Sequence, residues 1–209
     1  MKTMKIVNRN IFEFQEDKYL FAIRDKVDYI KLVLVAAEML SVNEKFKKNG
    51  SDCYLKLKIG RMGRIFVFKE DKFFSFGFPF NVQLKNQSVI KITTYSGLTV
   101  DSQTISSALS LLTGASNIIQ AITTESSEET FYFDSLGKRL LEELIMAEPG
   151  YLRYDKDILN TKGKKHPTYH LDFNFSSYGT YKLGLLKDML TDEFEDMTNI
   201  ETDCFFLHV

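Results

Sequence analysis

The spacing of apolar residues changes period early in the chain, and that change constrains the fold more than any other feature. Leu20, Ile23, Val27, Ile30, Leu34 and Ala37 recur at steps of three and four, with Asp17, Lys18, Asp25, Lys26 and Lys31 largely off that stripe. This spacing predicts an amphipathic helix over 16–40. Asn49-Gly50 then signals a turn. From Cys53 the period is two: Cys53, Leu55, Leu57 and Ile59 alternate with Tyr54, Lys56 and Lys58. That is a strand with one buried and one basic side.

More strands follow in series. "RIFVF" and "FFSFGFPF" flank the charged "KEDK" and read as a hairpin, and "SVIKITTY" is a further strand, giving a meander of about four. Asp101 is a good N-cap for one helix carrying Ile105, Leu109, Leu112 and Ile119. Ser126 with Glu129 fits a capping box for a second, with Leu136, Leu140, Leu144 and Ile145, stopping before Pro149-Gly150. Strands are expected at "TYHLDFNF", "TYKLGL" and "CFFLHV". The expected class is α+β: a mostly antiparallel sheet, with the N-terminal helix and the two central helices packed on one side. A length of 209 residues suits one domain, 1–209, with 1–100 and 101–209 as alternative sub-lobes.

Hydrophobic residues make up 44% of the chain, enough for a core and too many for a disordered segment. The net charge of −1 argues against a dedicated nucleic-acid binder, which needs a basic excess, so such contact is expected to be weak and non-specific at most. The charge is nevertheless uneven. Residues 44–64 carry Lys45, Lys47, Lys48, Lys56, Lys58, Arg61 and Arg64 against Glu44 and Asp52. Residues 187–203 carry Asp188, Asp192, Glu193, Glu195, Asp196, Glu201 and Asp203 against Lys187, so a bipolar molecule is expected. Cys53 and Cys204 stand outside any CxxC and read as buried small hydrophobes of a reducing compartment. The longest apolar run, "LVLVAA", is far too short to span a bilayer. A cytoplasmic protein, bacterial or phage-related, is expected.

Chemistry concentrates in "KKHPTYHLDFNFSS", residues 164–177. His166 and His170 would share a face on a helix, but Tyr169, Leu171, Phe173 and Phe175 alternate with His170, Asp172, Asn174 and Ser176. On a strand, positions four apart are separated by about 13 Å, too far to share an ion. Pro167 cannot donate to a ladder, so the strand starts after it and His166 lies in the preceding loop. His170 and Asp172 share a face, about 6.6 Å apart at Cα, and both side chains can reach one ion. This HxD, with His208 further on, resembles the HxD…H pattern of the jelly-roll iron oxygenases. The resemblance implies Fe(II) held by His170, Asp172 and His208.

Asp52, Glu70 and Lys72 match the D…ExK of metal-dependent nucleases, but Glu70-Asp71-Lys72 is more simply a hairpin turn. No P-loop, GxGxxG or GxSxG occurs. The favoured reading is therefore a binding or interaction module without a cofactor, for a protein partner or small ligand. Its binding face is His170, Asp172, Asn174 and Ser176, with His166, Lys165 and Lys182 beside it. The alternative is a metal-dependent enzyme, a phosphodiester hydrolase or an Fe(II) oxygenase. There Fe, Zn or Mg is bound by His170 and Asp172, and Lys182 or Lys165 holds an anion.

Overall fold

The protein's structure, a computed structural model, describes residues 4–42, 46–47, 52–61, 63–86, 88–127, 130–202 and 204. It is α+β. Seven antiparallel strands form one sheet: β1 (Lys5–Ile11), β2 (Cys53–Ile59), β3 (Gly63–Lys69), β4 (Lys72–Gly77), β7 (Leu152–Lys156), β8 (Tyr169–Phe173) and β9 (Tyr181–Gly184), in the order β1-β2-β3-β4-β7-β8-β9. The hairpin of β5 (Asn81–Lys85) and β6 (Ser88–Thr93) stands apart as a two-stranded sheet, so the expected four-strand meander divides after β4. The chain then runs through α2 (Ser102–Gly114), α3 (Ile118–Thr123) and α4 (Phe131–Met146) before β7 returns to pair with β4. One continuous sheet thus joins strands from both sides of residue 100.

The N-terminal helix is shorter than its stripe. A 3-10 turn covers Glu13–Lys18, and α1 runs Lys26–Ser41. Asp25 sets the start: its carboxylate accepts from Asp28 N at 2.9 Å, and Asp28 in turn accepts from Arg24 N. Asp25 is an N-cap, not a residue of the polar face. The central helix also divides. Asp101 caps α2 as expected, but Asn117 caps a separate α3, and Ile119 is left exposed. Of the Ser126–Glu129 box, Glu129 lies outside the described residues. Gly137 in α4 is required by packing, because a Cβ there would sit 2.3 Å from Ser107 Oγ on α2.

Strand β1 is not legible in the pattern, because its buried residues include Arg9 and Asn10. Arg9 donates to the carbonyls of Leu40 (3.3 Å) and Val42 (3.2 Å), where the end of α1 leaves acceptors open. Asn10 exchanges two hydrogen bonds with the Lys47 backbone.

The two faces of the sheet bury different cores. Ile65, Val67, Phe74 and Phe76 meet α1, α2 and α4, including Tyr29, Leu112 and Leu140. These helices lie on one side, as expected. The other face buries Phe66, Phe68, Phe73 and Tyr154 against Phe194 of a fifth helix, α5 (Thr191–Met197). Lys56 and Lys58 both bind Glu195, which is buried. Part of the basic region and part of the acidic segment therefore meet inside the molecule instead of forming separate poles. Cys53 is buried in β2, but Cys204 is exposed, contrary to expectation. Among the described residues no helix is long and apolar enough to cross a membrane.

Candidate functional site

The register of β4, β7, β8 and β9 places polar residues side by side. Lys72, Asp155, His170 and Gly184 stand in one row; Phe74, Arg153, Asp172 and Lys182 stand in the next. Directly opposed residues share a face at about 5 Å. Both rows lie on the face that packs against α1, where Phe74 belongs to the core.

Asp172 is fully buried, at 0% exposure. It accepts from Lys182 Nζ at 2.7 Å, from Arg153, and from Thr180. Burial alone would raise its pKa, but these donors hold it below the ordinary carboxylate value. Arg153 Nε also lies 2.7 Å from Asp155 Oδ2. His170, 1% exposed, sits between the two carboxylates: its Nε2 is 3.7 Å from Asp155 Oδ2 and 4.0 Å from Asp172 Oδ2.

The partners of His170 fix its tautomer. Lys182 Nζ is 3.0 Å from Nε2, and an ammonium can only donate, so Nε2 accepts. Nδ1 is 2.9 Å from the Pro167 carbonyl and donates to it. The imidazole is the neutral Nδ1–H form. Burial, and then the Lys182 charge, push its pKa down, which agrees.

Pro167 reaches His170 because the loop between β7 and β8 folds back over the sheet. Asp157 N donates to Thr168 O at 2.8 Å and closes the loop. The Asp157 carboxylate accepts from Asn160 and lies 3.1 Å from His166 Nε2. The His166 ring meets His170 edge-on at 4.7 Å. Gly184 permits the crossing, since a Cβ there would lie 2.8 Å from Pro167 Cγ.

Lys72 completes the group. It is half-buried and has no hydrogen-bond or ion-pair partner among the described residues. Burial, and then the nearby Arg153 charge, lower its pKa. Three cations, Lys72, Arg153 and Lys182, thus face two carboxylates, Asp155 and Asp172.

The structure treats the residues singled out in the sequence unevenly. His170 and Asp172 share a face, and His166 lies in the loop against His170. Yet their side of β8 is not a hydrated polar face: both are buried, while Phe173 is 42% exposed. The row also stops at Asp172. Asn174 has φ 60° and turns the chain, so Asn174 and Ser176 lie beyond the strand. That turn carries Phe175 back onto Tyr29, in a stacked pair at 6.3 Å, on the histidine's own side of the sheet. Lys182 is central, whereas Lys165 is exposed in a 3-10 turn, Gly163–Lys165. His208 and the expected last strand, apart from Cys204, lie outside the described residues. Glu70 and Asp71 form the turn between β3 and β4, as expected.

Arg153 and Asp155 are not among the residues the sequence singles out, and Lys72 enters there only as the lysine of a nuclease-like ExK read as a hairpin turn. The only signal was the alternation in "LRYDK", which puts Arg153 and Asp155 on one side. Asp155, His170 and Asp172 each offer a ligand atom, all within 4.8 Å of one another, so among the described residues they are the group able to hold a metal. No protein family, curated protein or solved structure matches this chain.

Proposed function

We propose that the protein is a cytoplasmic binding module that recognises an anionic group, phosphate or carboxylate, of a small ligand or protein partner at the face formed by β4, β7, β8 and β9. The supporting observation is Lys72, a half-buried ammonium beside Arg153 with no hydrogen bond or ion pair among the described residues; Asp155 and Asp172 attract it, but burial and the Arg153 charge outweigh them. A charge in that position is unfavourable by itself. An anion bound there would lie between Lys72 and Arg153 and remove the imbalance. His170 and the two carboxylates orient the cations and would not touch the anion. Titration with inorganic pyrophosphate, followed by NMR, tests this. Saturable shifts centred on β4 and β7 are expected, lost in Lys72→Met. Shifts that are absent, or unchanged in Lys72→Met, would refute the proposal.

A second reading keeps a divalent metal at Asp155, His170 and Asp172, favoured by the convergence of their ligand atoms. His170 Nε2 has the lone pair a metal needs. An ion would displace the Lys182 ammonium, which lies 3.0 Å from Nε2 and 2.7 Å from Asp172 Oδ1. Zinc or iron binding that tightens in Lys182→Ala would support this reading. Absence of stoichiometric metal in both proteins would reject it.

A further inference from the structure

A second site lies at the other end of the sheet. A cleft of about 560 Å³ opens between the end of α4 and the segment 77–80 that leaves β4. Its volume falls in the range of small-molecule sites, about 300–1,000 Å³. The floor is apolar: Phe78, Phe80 and Leu144 are all buried. Tyr95 and Met146 stand exposed at its rim.

The charge around this cleft runs against the usual preference. A helix C-terminus carries partial negative charge and favours cations. The last turn of α4 contains no basic residue. Instead Glu142, Glu143 and Glu148 all line the cleft. Ser96 Oγ donates to Glu143 at 2.6 Å. Glu142 and Glu148 have no hydrogen-bond or ion-pair partner among the described residues. The nearby cations are used on carbonyls: Lys26 donates to Ala147 O, and Arg64 to Gly150 O at 2.6 Å. The Lys26 contact also demonstrates that an ammonium fits the α4 terminus.

We infer that this cleft binds a small organic cation, an ammonium on a flat apolar body. The body lies over Pro79 and Met146, above the buried Phe78 and Phe80, Tyr95 covers one face, and the ammonium meets Glu142 and Glu148. Apolar burial and charge complementarity then act on opposite ends of one ligand, and Tyr95 adds a ring-stacking contact to the body.

Tryptamine is a suitable probe, and indole-3-propionate is its charge-reversed counterpart. Binding is measured by calorimetry on the whole chain, with Tyr95 followed by NMR. Saturable tryptamine binding that shifts the Tyr95 signals is expected. It should weaken about tenfold in Glu142→Gln/Glu148→Gln, whose changes lie at exposed positions, and also in Tyr95→Ala. Indole-3-propionate should bind at least about tenfold more weakly than tryptamine. No saturable tryptamine binding, equal binding of the two probes, or binding unchanged in both variants would overturn the inference.

Discussion

Replacing Asp172 by Asn keeps the shape of the side chain and removes its charge. Asp172 is 0% exposed and receives donors from Lys182, Arg153 and Thr180. In the variant, Asp155 alone faces Arg153, Lys182 and Lys72. Breaking a buried ion pair by removing one partner costs about 3–5 kcal/mol, because the other charge is stranded. Here Arg153 and Lys182 keep 20% and 27% side-chain exposure, so water recovers part of the loss. A cost of about 2–4 kcal/mol is expected. For a chain of this size, each kcal/mol lowers Tm by about 2–4 °C, so the melt should fall by roughly 5–15 °C.

Urea unfolding and thermal melts measure this directly. Lys182→Met should cost less, because Asp172 keeps Arg153 and Thr180. The double variant should show a coupling of about 1 kcal/mol or more. The pH dependence has a defined sign. Asp172 titrates lower in the folded chain than in the unfolded chain, so its contribution is present above the unfolded value. It disappears as pH falls through the folded one. Asp172→Asn should flatten the acid limb of the stability profile. A loss under about 1 kcal/mol with an unchanged acid limb would refute a charged, tightly paired Asp172.

Further consequences concern single residues. His170 titrates lower when folded, so the unfolded chain binds the proton first as pH falls below about 6.5; stability should decline from there to the folded value, and His170→Phe should remove that slope. Gly184→Ala forces Pro167 off the sheet, and unfolding should show a loss of about 1–3 kcal/mol together with altered His166 and His170 NMR signals. Glu195→Gln leaves Lys56 and Lys58 facing each other under α5; a loss of about 2 kcal/mol, larger at low salt than at high salt, is expected in denaturant melts.

The parts of the fold that were legible in the sequence follow from apolar period. The β3–β4 hairpin, the α2 cap and the placement of three helices on one side all rest on burial of one face. Prediction failed where polar residues were buried. Strand β1 hides Arg9 and Asn10, and β8 hides His170 and Asp172, so alternation marks as wet a face that is buried. In β8 the true neighbours of these side chains, Arg153 and Asp155, are 15 or more positions away in sequence. Only strand pairing brings them together. Asn174 was read as one more strand position, although Asn is among the residues that adopt positive φ readily, and there it ends the row.

The fate of the individual charges bears on what kind of anion the module would take. Lys56 and Lys58 bind Glu195, Lys69 binds Glu16, and Lys156 binds Asp188. These pairs remove several cations that a broad nucleic-acid track would draw on, since such binding uses many unneutralised charges at once. Beside the polar rows of β4, β7, β8 and β9 the cations left over are few. Lys72 stands opposite Asp155 on β7, and the loop that follows β7 exposes Lys162, Lys164 and Lys165. None of these four has an ion-pair partner among the described residues. Both groups lie at the same end of β7, so the loop lysines would attract an anion toward the place where Lys72 and Arg153 can hold it. A compact ligand with one or two charged groups fits that arrangement; a long polyanion does not. The salt dependence of binding separates the two, because a small anion should give a shallow slope of log K against log salt, close to one or two, and a polyanion a much steeper one.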